Sequence, residues 1–239
     1  MGEAVADELA RRAYRDFARA EDDWGRGLAL VVRAEVAAGR GEWDHAANLL
    51  DDARGYCDRT EHPLLMGIVR TIQGEVALER GDPTAALELA EAVDRVAEPH
   101  GALEPARVGP RALVGAVRLA TQDYEGALAA LRPLAEAAEA PSLLFPRQEA
   151  VALYAEALLA AGQVDEAVRW ARRAVQVPSE QIRSRILAAQ ALAEALAAAG
   201  AEQEARAAAA EAVELAHATE RVSERPLAEA TPARVGGSA

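Results

Sequence analysis

The most regular polar feature of this sequence is a glutamate that recurs at one fixed distance before a repeated alanine. Four glutamates stand eleven residues before such an alanine: Glu35, Glu75, Glu156 and Glu194. Carboxylates at equivalent positions of a repeat can bind arginine or lysine side chains of a partner through charge-assisted hydrogen bonds. The same glutamates could instead pair with arginines of neighbouring helices or face solvent, and the sequence leaves both interpretations open.

Side chains that could form a catalytic or metal site are scattered along the chain. The four histidines, at positions 45, 62, 100 and 217, are scattered and show no HExxH spacing. Cys57 itself is predicted to be a small, partly buried apolar side chain. No GxSxG, GxGxxG or Walker motif occurs. We therefore predict no catalytic residues, no cofactor, no metal site and a protein that is not an enzyme.

Every one of the 26 basic residues is an arginine, because the 239 residues include no lysine. The chain therefore cannot supply a P-loop or Schiff-base lysine. A net charge of −13 is unfavourable for a nucleic-acid-binding face. The N-terminal residues lack the positive charge of a secretory signal, and no apolar run is long enough to span a membrane. These features predict a cytoplasmic protein that binds neither nucleic acid nor membrane.

The chain contains five copies of one unit of about 40 residues. Each copy carries a shared alanine, and the intervals between these alanines are 40, 41, 40 and 38 residues: Ala46, Ala86, Ala127, Ala167 and Ala205. Five residues earlier stand residues typical of a left-handed turn: Gly41, Gly81, Gln122, Gly162 and Gly200. Twelve residues before each alanine stands a small residue that allows close helix packing: Ala34, Gly74, Gly115, Ala155 and Ala193. One unit cannot bury its own apolar face, so the copies must stack.

Helical periodicity and the turn positions predict two helices per copy, which we call helix A and helix B. The predicted A and B helices cover 24–39 and 43–59, 64–80 and 83–98, 106–120 and 124–139, 147–161 and 165–177, and 180–199 and 202–220. Residues 3–20 predict one further helix, which aligns with the helix B that lies 40 residues later. Prolines and glycines without an apolar period predict a disordered tail over 223–239, after a repeat domain over 1–222.

This pattern resembles the tetratricopeptide repeat (TPR) family over about residues 22 to 220. In that family helix A carries a small residue, the turn is similar to Gly-Asp-Tyr and helix B carries an alanine, here Gly115, Gln122-Asp123-Tyr124 and Ala127. The resemblance implies an all-α, right-handed solenoid of about five hairpins plus one N-terminal helix. Because the repeat is longer than the usual 34 residues, it also resembles the helical arrays of LuxR-type large ATP-binding regulators and SARP-type regulators.

The resemblance also implies a binding surface, because helix A of a TPR faces the concave groove. The candidate groove residues are Leu28, Val31, Glu35, Ile68, Thr71, Glu75, Glu156 and Glu194. The resulting hypothesis is a non-enzymatic scaffold for a basic peptide, a protein segment or sibling domains of a longer protein, acting as the regulatory or sensor array of a bacterial transcriptional regulator. The alternative is a superhelix that senses a small molecule held in the same groove.

Overall fold

A computed structural model describes residues 3–97, 104–137, 147–179, 181–219 and 222–236. All secondary-structure elements in these ranges are helices, which confirms the all-α prediction. The twelve described helices are α1 (Glu3–Arg19), α2 (Asp23–Gly39), α3 (Trp43–Thr60), α4 (Pro63–Glu79), α5 (Pro83–Ala97), α6 (Glu104–Ala120), α7 (Tyr124–Glu136), α8 (Arg147–Ala160), α9 (Val164–Gln176), α10 (Ile182–Ala198), α11 (Glu202–His217) and α12 (Arg225–Gly236). The eleven predicted helices are confirmed, and each end lies within three residues of its predicted position.

Each hairpin turns at the position that the repeat predicts. The turn glycines adopt left-handed backbone conformations with φ between 74° and 80°: Gly41, Gly81, Gly162 and Gly200. Gln122 takes the same conformation, with φ of 63°. Aspartates after the turn start the next helix, since Asp82 accepts the backbone N–H of Ala85 at 2.9 Å. Local signals therefore determine where helix A ends and helix B begins.

The chain forms two compact units, residues 1–114 and 115–239, and α6 runs from the first into the second. In the first unit α1 packs on α2, α2 on α3, α3 on α4 and α4 on α5. Its core is built largely of leucine, isoleucine and valine with one tyrosine: Leu30, Val31, Leu49, Leu50, Tyr56, Leu65, Val69, Ile72 and Val76. Helix α1 thus packs on α2, the helix A that follows it, as a helix B of the repeat would.

The second unit packs α7 on α8, α8 on α9 and α10, and α10 on α11. Its core is rich in alanine, with few larger side chains: Ala127, Ala152, Ala155, Ala167, Ala171, Ala188 and Ala191 surround Leu131 and Leu158. Helices come close enough that a Cβ added at Gly115 would lie 2.4 Å from Cγ of Leu131. The small residues of helix A therefore permit close packing, as the repeat predicts.

The prediction of a disordered tail over 223–239 is wrong for residues 225–236. These residues form α12, which packs on α10 and α11 and buries Ala228, Thr231 and Val235. Thr231 lies 38 residues after Ala193, so α12 occupies the position of a further helix A. Among the described side chains of α12, the three buried ones are spaced i, i+3 and i+7, and only Val235 is larger than threonine. Residues 237–239 lie outside the described residues.

Candidate binding surface on the A helices

Glu156 and Glu194 lie on α8 and α10 in the second unit and interact electrostatically. Loss of hydration, together with the carboxylates of Glu194 and Glu149, raises the pKa of Glu156 from 4.5 to about 8, against the attraction of Arg234 and Arg183. A carboxyl group with this pKa holds its proton at neutral pH. Two of the four predicted glutamates are therefore brought together, and one of them is largely uncharged.

Two arginines lie within this group of carboxyl groups. Nε of Arg183 is 3.7 Å from Oε1 of Glu149, and its Nη1 is 3.4 Å from Oε1 of Glu224. Nη2 of Arg234, on α12, is 2.5 Å from Oε1 of Glu194. The arrangement contains four carboxyl groups and two guanidinium groups, and we call it the glutamate cluster: Glu149, Glu156, Arg183, Glu194, Glu224 and Arg234.

Gln190 connects the glutamate cluster to α12. It is 3% exposed, and its Nε2 donates to Oγ1 of Thr231 at 3.4 Å. The same Thr231 oxygen accepts a hydrogen bond from Nη2 of Arg234 at 3.0 Å. Oε1 of Gln190 is buried and has no donor. A buried acceptor without a donor raises the free energy of the folded state, so a hydrogen bond donated to this oxygen would stabilise this region.

The predicted groove residues of the first unit lie on α2 and α4. Leu28 and Ile68 are half-buried and pack at the edge of the apolar core. Glu35 is exposed and Glu75 is half-buried. These four side chains keep accessible surface, so they can contribute to a binding face of the first unit.

Two other predicted groove residues belong to the packed interior of the first unit. Val31 is 2% exposed and lies within the apolar core. Thr71 is 9% exposed, and its hydroxyl donates to the carbonyl oxygen of Gly67, one turn earlier in the same helix, at 2.8 Å. Their side chains stabilise the repeat stack and offer almost no surface to a ligand.

A different polar cluster lies in the first unit. We call it the tyrosine–arginine cluster: Tyr14, Asp23, Arg26, Tyr56 and Arg59. The two tyrosine hydroxyls are 2.8 Å apart, and the Arg26 guanidinium lies 5.3 and 4.7 Å from the two ring centroids. Asp23 binds Arg26 at 3.2 Å and Arg59 at 2.8 Å. The hydrogen bond from Arg59 lowers the pKa of Asp23. This cluster connects α1, α2 and α3, and each charge in it has an opposite charge or an aromatic ring beside it.

The described groups with potential for covalent or metal chemistry show no arrangement for it. Cys57 is 1% exposed, and burial raises the pKa of its thiol to about 11, so the thiol remains protonated. Within the described ranges, histidine, cysteine and acidic side chains do not gather in groups of three that could hold a metal ion. No helix in the same part of the chain is long and apolar enough to cross a membrane.

Sequence reasoning missed five members of this site: Glu149, Arg183, Gln190, Glu224 and Arg234. A signal for some of them is present, because Glu149 lies seven residues before Glu156, and Arg183 and Gln190 share a helix face with Glu194. Arg234 gave no such signal, since it lies in the segment that was predicted to be disordered.

No protein-family model and no curated protein matches the chain. Solved structures do match it. BtubC (BKLC) from P. vanneervenii superposes with a TM-score of 0.62 at 16% identity, over 91% of this chain and 92% of that chain. A candidate kinesin light chain from Podosopora anserina, with nearly identical TPR-like repeats, superposes with a TM-score of 0.52 at 22% identity, over 89% of this chain and 93% of that chain.

NprR, crystallised in complex with its cognate peptide NprX, superposes with a TM-score of 0.64 at 13% identity. The match covers 87% of this chain and 60% of the NprR chain. Identities this low show a shared fold. Together the matches confirm that this chain has the all-helical, TPR-like repeat fold that its sequence predicts.

Proposed function

We propose that this chain is a non-enzymatic repeat scaffold that binds a peptide or a segment of another protein. The observation that carries the proposal is the glutamate cluster, in which carboxyl groups outnumber guanidinium groups and a neighbouring buried amide oxygen has no donor. With Glu156 protonated, the cluster still has three carboxylates and two guanidinium groups, and its net negative charge is complementary to a basic segment. The fold supports the same conclusion, since NprR, a protein of this fold, holds a peptide.

The finer role that we propose is the regulatory array of a bacterial transcriptional regulator in the cytoplasm. The repeat of about 40 residues supports this role, because it resembles the arrays of LuxR-type and SARP-type regulators. The net charge of −13 favours a basic protein or peptide partner over nucleic acid. Sibling domains of a longer protein would supply any contact with DNA.

One observation favours small-molecule sensing as a second candidate function. The first unit has an open cleft of about 440 Å³ between α3, α4 and α5. This volume lies in the range of small-molecule sites. Apolar and charged side chains line it, among them Leu50, Asp51, Val76, Arg80 and Leu89.

The experiment that tests the scaffold is selection of a displayed peptide library on the immobilised full chain, followed by affinity measurements at low and high salt. We expect enrichment of arginine- and lysine-containing peptides whose affinity falls as salt rises. Changing Glu35, Glu75, Glu156 and Glu194 to glutamine should weaken binding several-fold. A matched variant changes four exposed glutamates, Glu42, Glu88, Glu125 and Glu211, and should bind normally.

Failure to recover any peptide that binds saturably would contradict the scaffold. A thermal-shift screen with small molecules tests the second candidate, because a ligand of the native state raises the melting temperature as its occupancy rises. Changing Leu89 to alanine, in the cleft, should remove such a shift.

A further inference from the structure

We propose that the α10–α11 face of the second unit binds an arginine-bearing helix of a partner protein, and that α12 of this chain occupies the same face until the partner displaces it. The inference rests on the proposed scaffold function and names its site and ligand class. The partner helix is defined by what α12 shows: two small residues three positions apart, an arginine three positions further on and an aliphatic residue next to it.

The contacts of α12 supply this pattern directly. Ala228 and Thr231 are 0% exposed and Val235 is 5% exposed, so these three side chains form the packed face. Arg234 supplies the charge: its guanidinium lies 2.5 Å from Glu194 and 3.0 Å from Oγ1 of Thr231. A helix from another protein that carries the same four side chains can make the same contacts.

The face also has binding capacity that α12 does not use. Oε1 of Gln190 is buried without a donor although its amide nitrogen already reaches Thr231 of α12. Glu156 lies among carboxylates and keeps its proton, with Arg234 and Arg183 as its cationic neighbours. A partner helix with one further donor near Gln190 would gain a hydrogen bond that α12 lacks.

Helix α12 is short, and its contacts from Arg234 to Glu194 and from Glu229 to His217 are partly exposed. It is twelve residues long and contains Pro232, which removes one backbone donor from the helix. Helices of this length are marginal without tertiary contacts. The buried side chains that the structure describes for α12 are Ala228, Thr231 and Val235, whereas α10 buries the larger Ile186, Leu187 and Leu196. A partner helix with the same pattern and larger apolar contacts would therefore compete with it.

The first test uses a labelled synthetic peptide with the sequence of residues 222–236 and the full chain carrying Arg234→Glu. This change places a carboxylate of α12 beside Glu194 and should release α12. The tethered α12 of the wild-type chain competes at a high effective concentration. We therefore expect the peptide to bind the variant at least tenfold more tightly than the wild type. The same peptide with the arginine that corresponds to Arg234 changed to glutamine should bind the variant several-fold more weakly, as expected for a partly exposed ion pair.

A charge exchange controls for indirect effects. The chain carrying both Glu194→Arg and Arg234→Glu can re-form the ion pair with reversed charges, so it should fold and should not bind the peptide. Glu211→Arg, added to Arg234→Glu, changes an exposed carboxylate on α11 and should leave peptide binding intact. Equal binding to the wild type and the Arg234→Glu chain, binding to neither, or indifference to Glu194→Arg would overturn the proposal.

Hydrogen exchange provides a second measurement on the unmodified chain. A saturating arginine-containing peptide from the displayed library should speed exchange of the amides in 225–236, because α12 is displaced. Unchanged or slower exchange there would overturn the proposal. If library peptides bind but are insensitive to Glu194 and leave α12 protected, the scaffold function stands and this site assignment fails. If no peptide binds at all, both fail.

Discussion

The two compact units fill the same repeat with different side chains. The first unit buries leucine, isoleucine and valine around Leu50, whereas the second surrounds Leu131 and Leu158 with alanines. A buried leucine contributes more hydrophobic free energy than an alanine, but alanine allows helix backbones to approach more closely. The first core should therefore respond most strongly to loss of volume, and the second to added volume.

The polar clusters of the two units differ in charge balance. In the tyrosine–arginine cluster, two arginines flank Asp23, and the pKa of this carboxyl is lowered. In the glutamate cluster, carboxyl groups are in excess, and the pKa of Glu156 is raised to about 8. The first arrangement favours the ionised form of Asp23 and holds α1, α2 and α3 together. The second arrangement disfavours the ionised form of Glu156. Strongly shifted pKa values of this kind are frequent at functional sites.

The largest effect should come from Leu50→Ala in the first unit. Leu50 is 0% exposed, and a cavity at such a site costs about 2–5 kcal/mol of unfolding free energy. Chemical denaturation measures this loss, and the alkylation rate of the buried Cys57 assigns it to the first unit. Leu9→Ala, at a leucine 49% exposed on α1, should cost much less. Equal losses for the two variants would contradict the role of the leucine core.

Enlargement of Ala155 should destabilise the second unit. Ala155 is 1% exposed on α8, and Ala155→Leu forces helices apart at a cost of about 1–3 kcal/mol. The exposed Ala160, on the same helix, provides the matched Ala160→Leu control, which should be nearly neutral. An unchanged thermal melt for Ala155→Leu would show that the A helices leave room at this position.

Local sequence signals predicted the helices and turns because each is determined by a few neighbouring residues. Gly81, Asp82 and Pro83 end one helix and start the next through backbone conformation and capping, which depend little on the rest of the chain. Helix α12 was not predicted because the sequence of 223–239 contains prolines and glycines, and its described buried side chains, Ala228, Thr231 and Val235, give little apolar periodicity.

The binding surface was predicted only in part. Spacing placed Glu156 and Glu194 at equivalent repeat positions, but the raised pKa of Glu156 depends on side chains contributed by α8, α10 and α12 together. The position of Val31 was also not predictable from spacing alone, since a helix-A residue one turn from Glu35 can face either the core or the surface. Which of the two it faces depends on how the neighbouring helices pack.

The raised pKa of Glu156 predicts a pH-dependent stability difference between the wild type and Glu156→Gln. The folded state holds this proton up to about pH 8, whereas the unfolded chain releases it near 4.5, so stability falls as pH rises through this window. The upper limit is about 1.4 kcal/mol per pH unit, and solvent relaxation lowers it. We expect Glu156→Gln to gain roughly 1 kcal/mol over the wild type between pH 6 and 8.

Denaturation curves at a series of pH values measure this gain. The charged neighbours are Glu149 on the same helix, Glu194 and Arg183 on α10, and Arg234 on α12. Glu204→Gln, at a glutamate paired with Arg172 on the surface, controls for the change in net charge. Parallel curves for the wild type and Glu156→Gln would show that Glu156 ionises normally.

The smallest losses of stability should come from substitutions of Arg234 and Arg26. These two variants also test most directly how the two polar clusters differ. The Arg234–Glu194 pair is partly exposed, with side-chain exposures of 43% and 30%, so Arg234→Gln should cost about 0.2–1 kcal/mol at low salt and close to nothing at high salt. Arg26 is 28% exposed and lies against the rings of Tyr14 and Tyr56.

The loss of unfolding free energy caused by Arg26→Gln should therefore persist largely at high salt. The contacts of Arg26 with the tyrosine rings and the packing of its side-chain stem are screened less by salt than an exposed ion pair is. Denaturation of both variants at low and high salt gives the two differences. The local effect of Arg234→Gln should appear as faster hydrogen exchange in α12, while Arg26→Gln should speed exchange in α1. If both costs vanish at high salt, the tyrosine–arginine cluster is held by charge pairing alone. The difference between the two clusters would then lie in their charge balance and not in the kind of contact that each one makes.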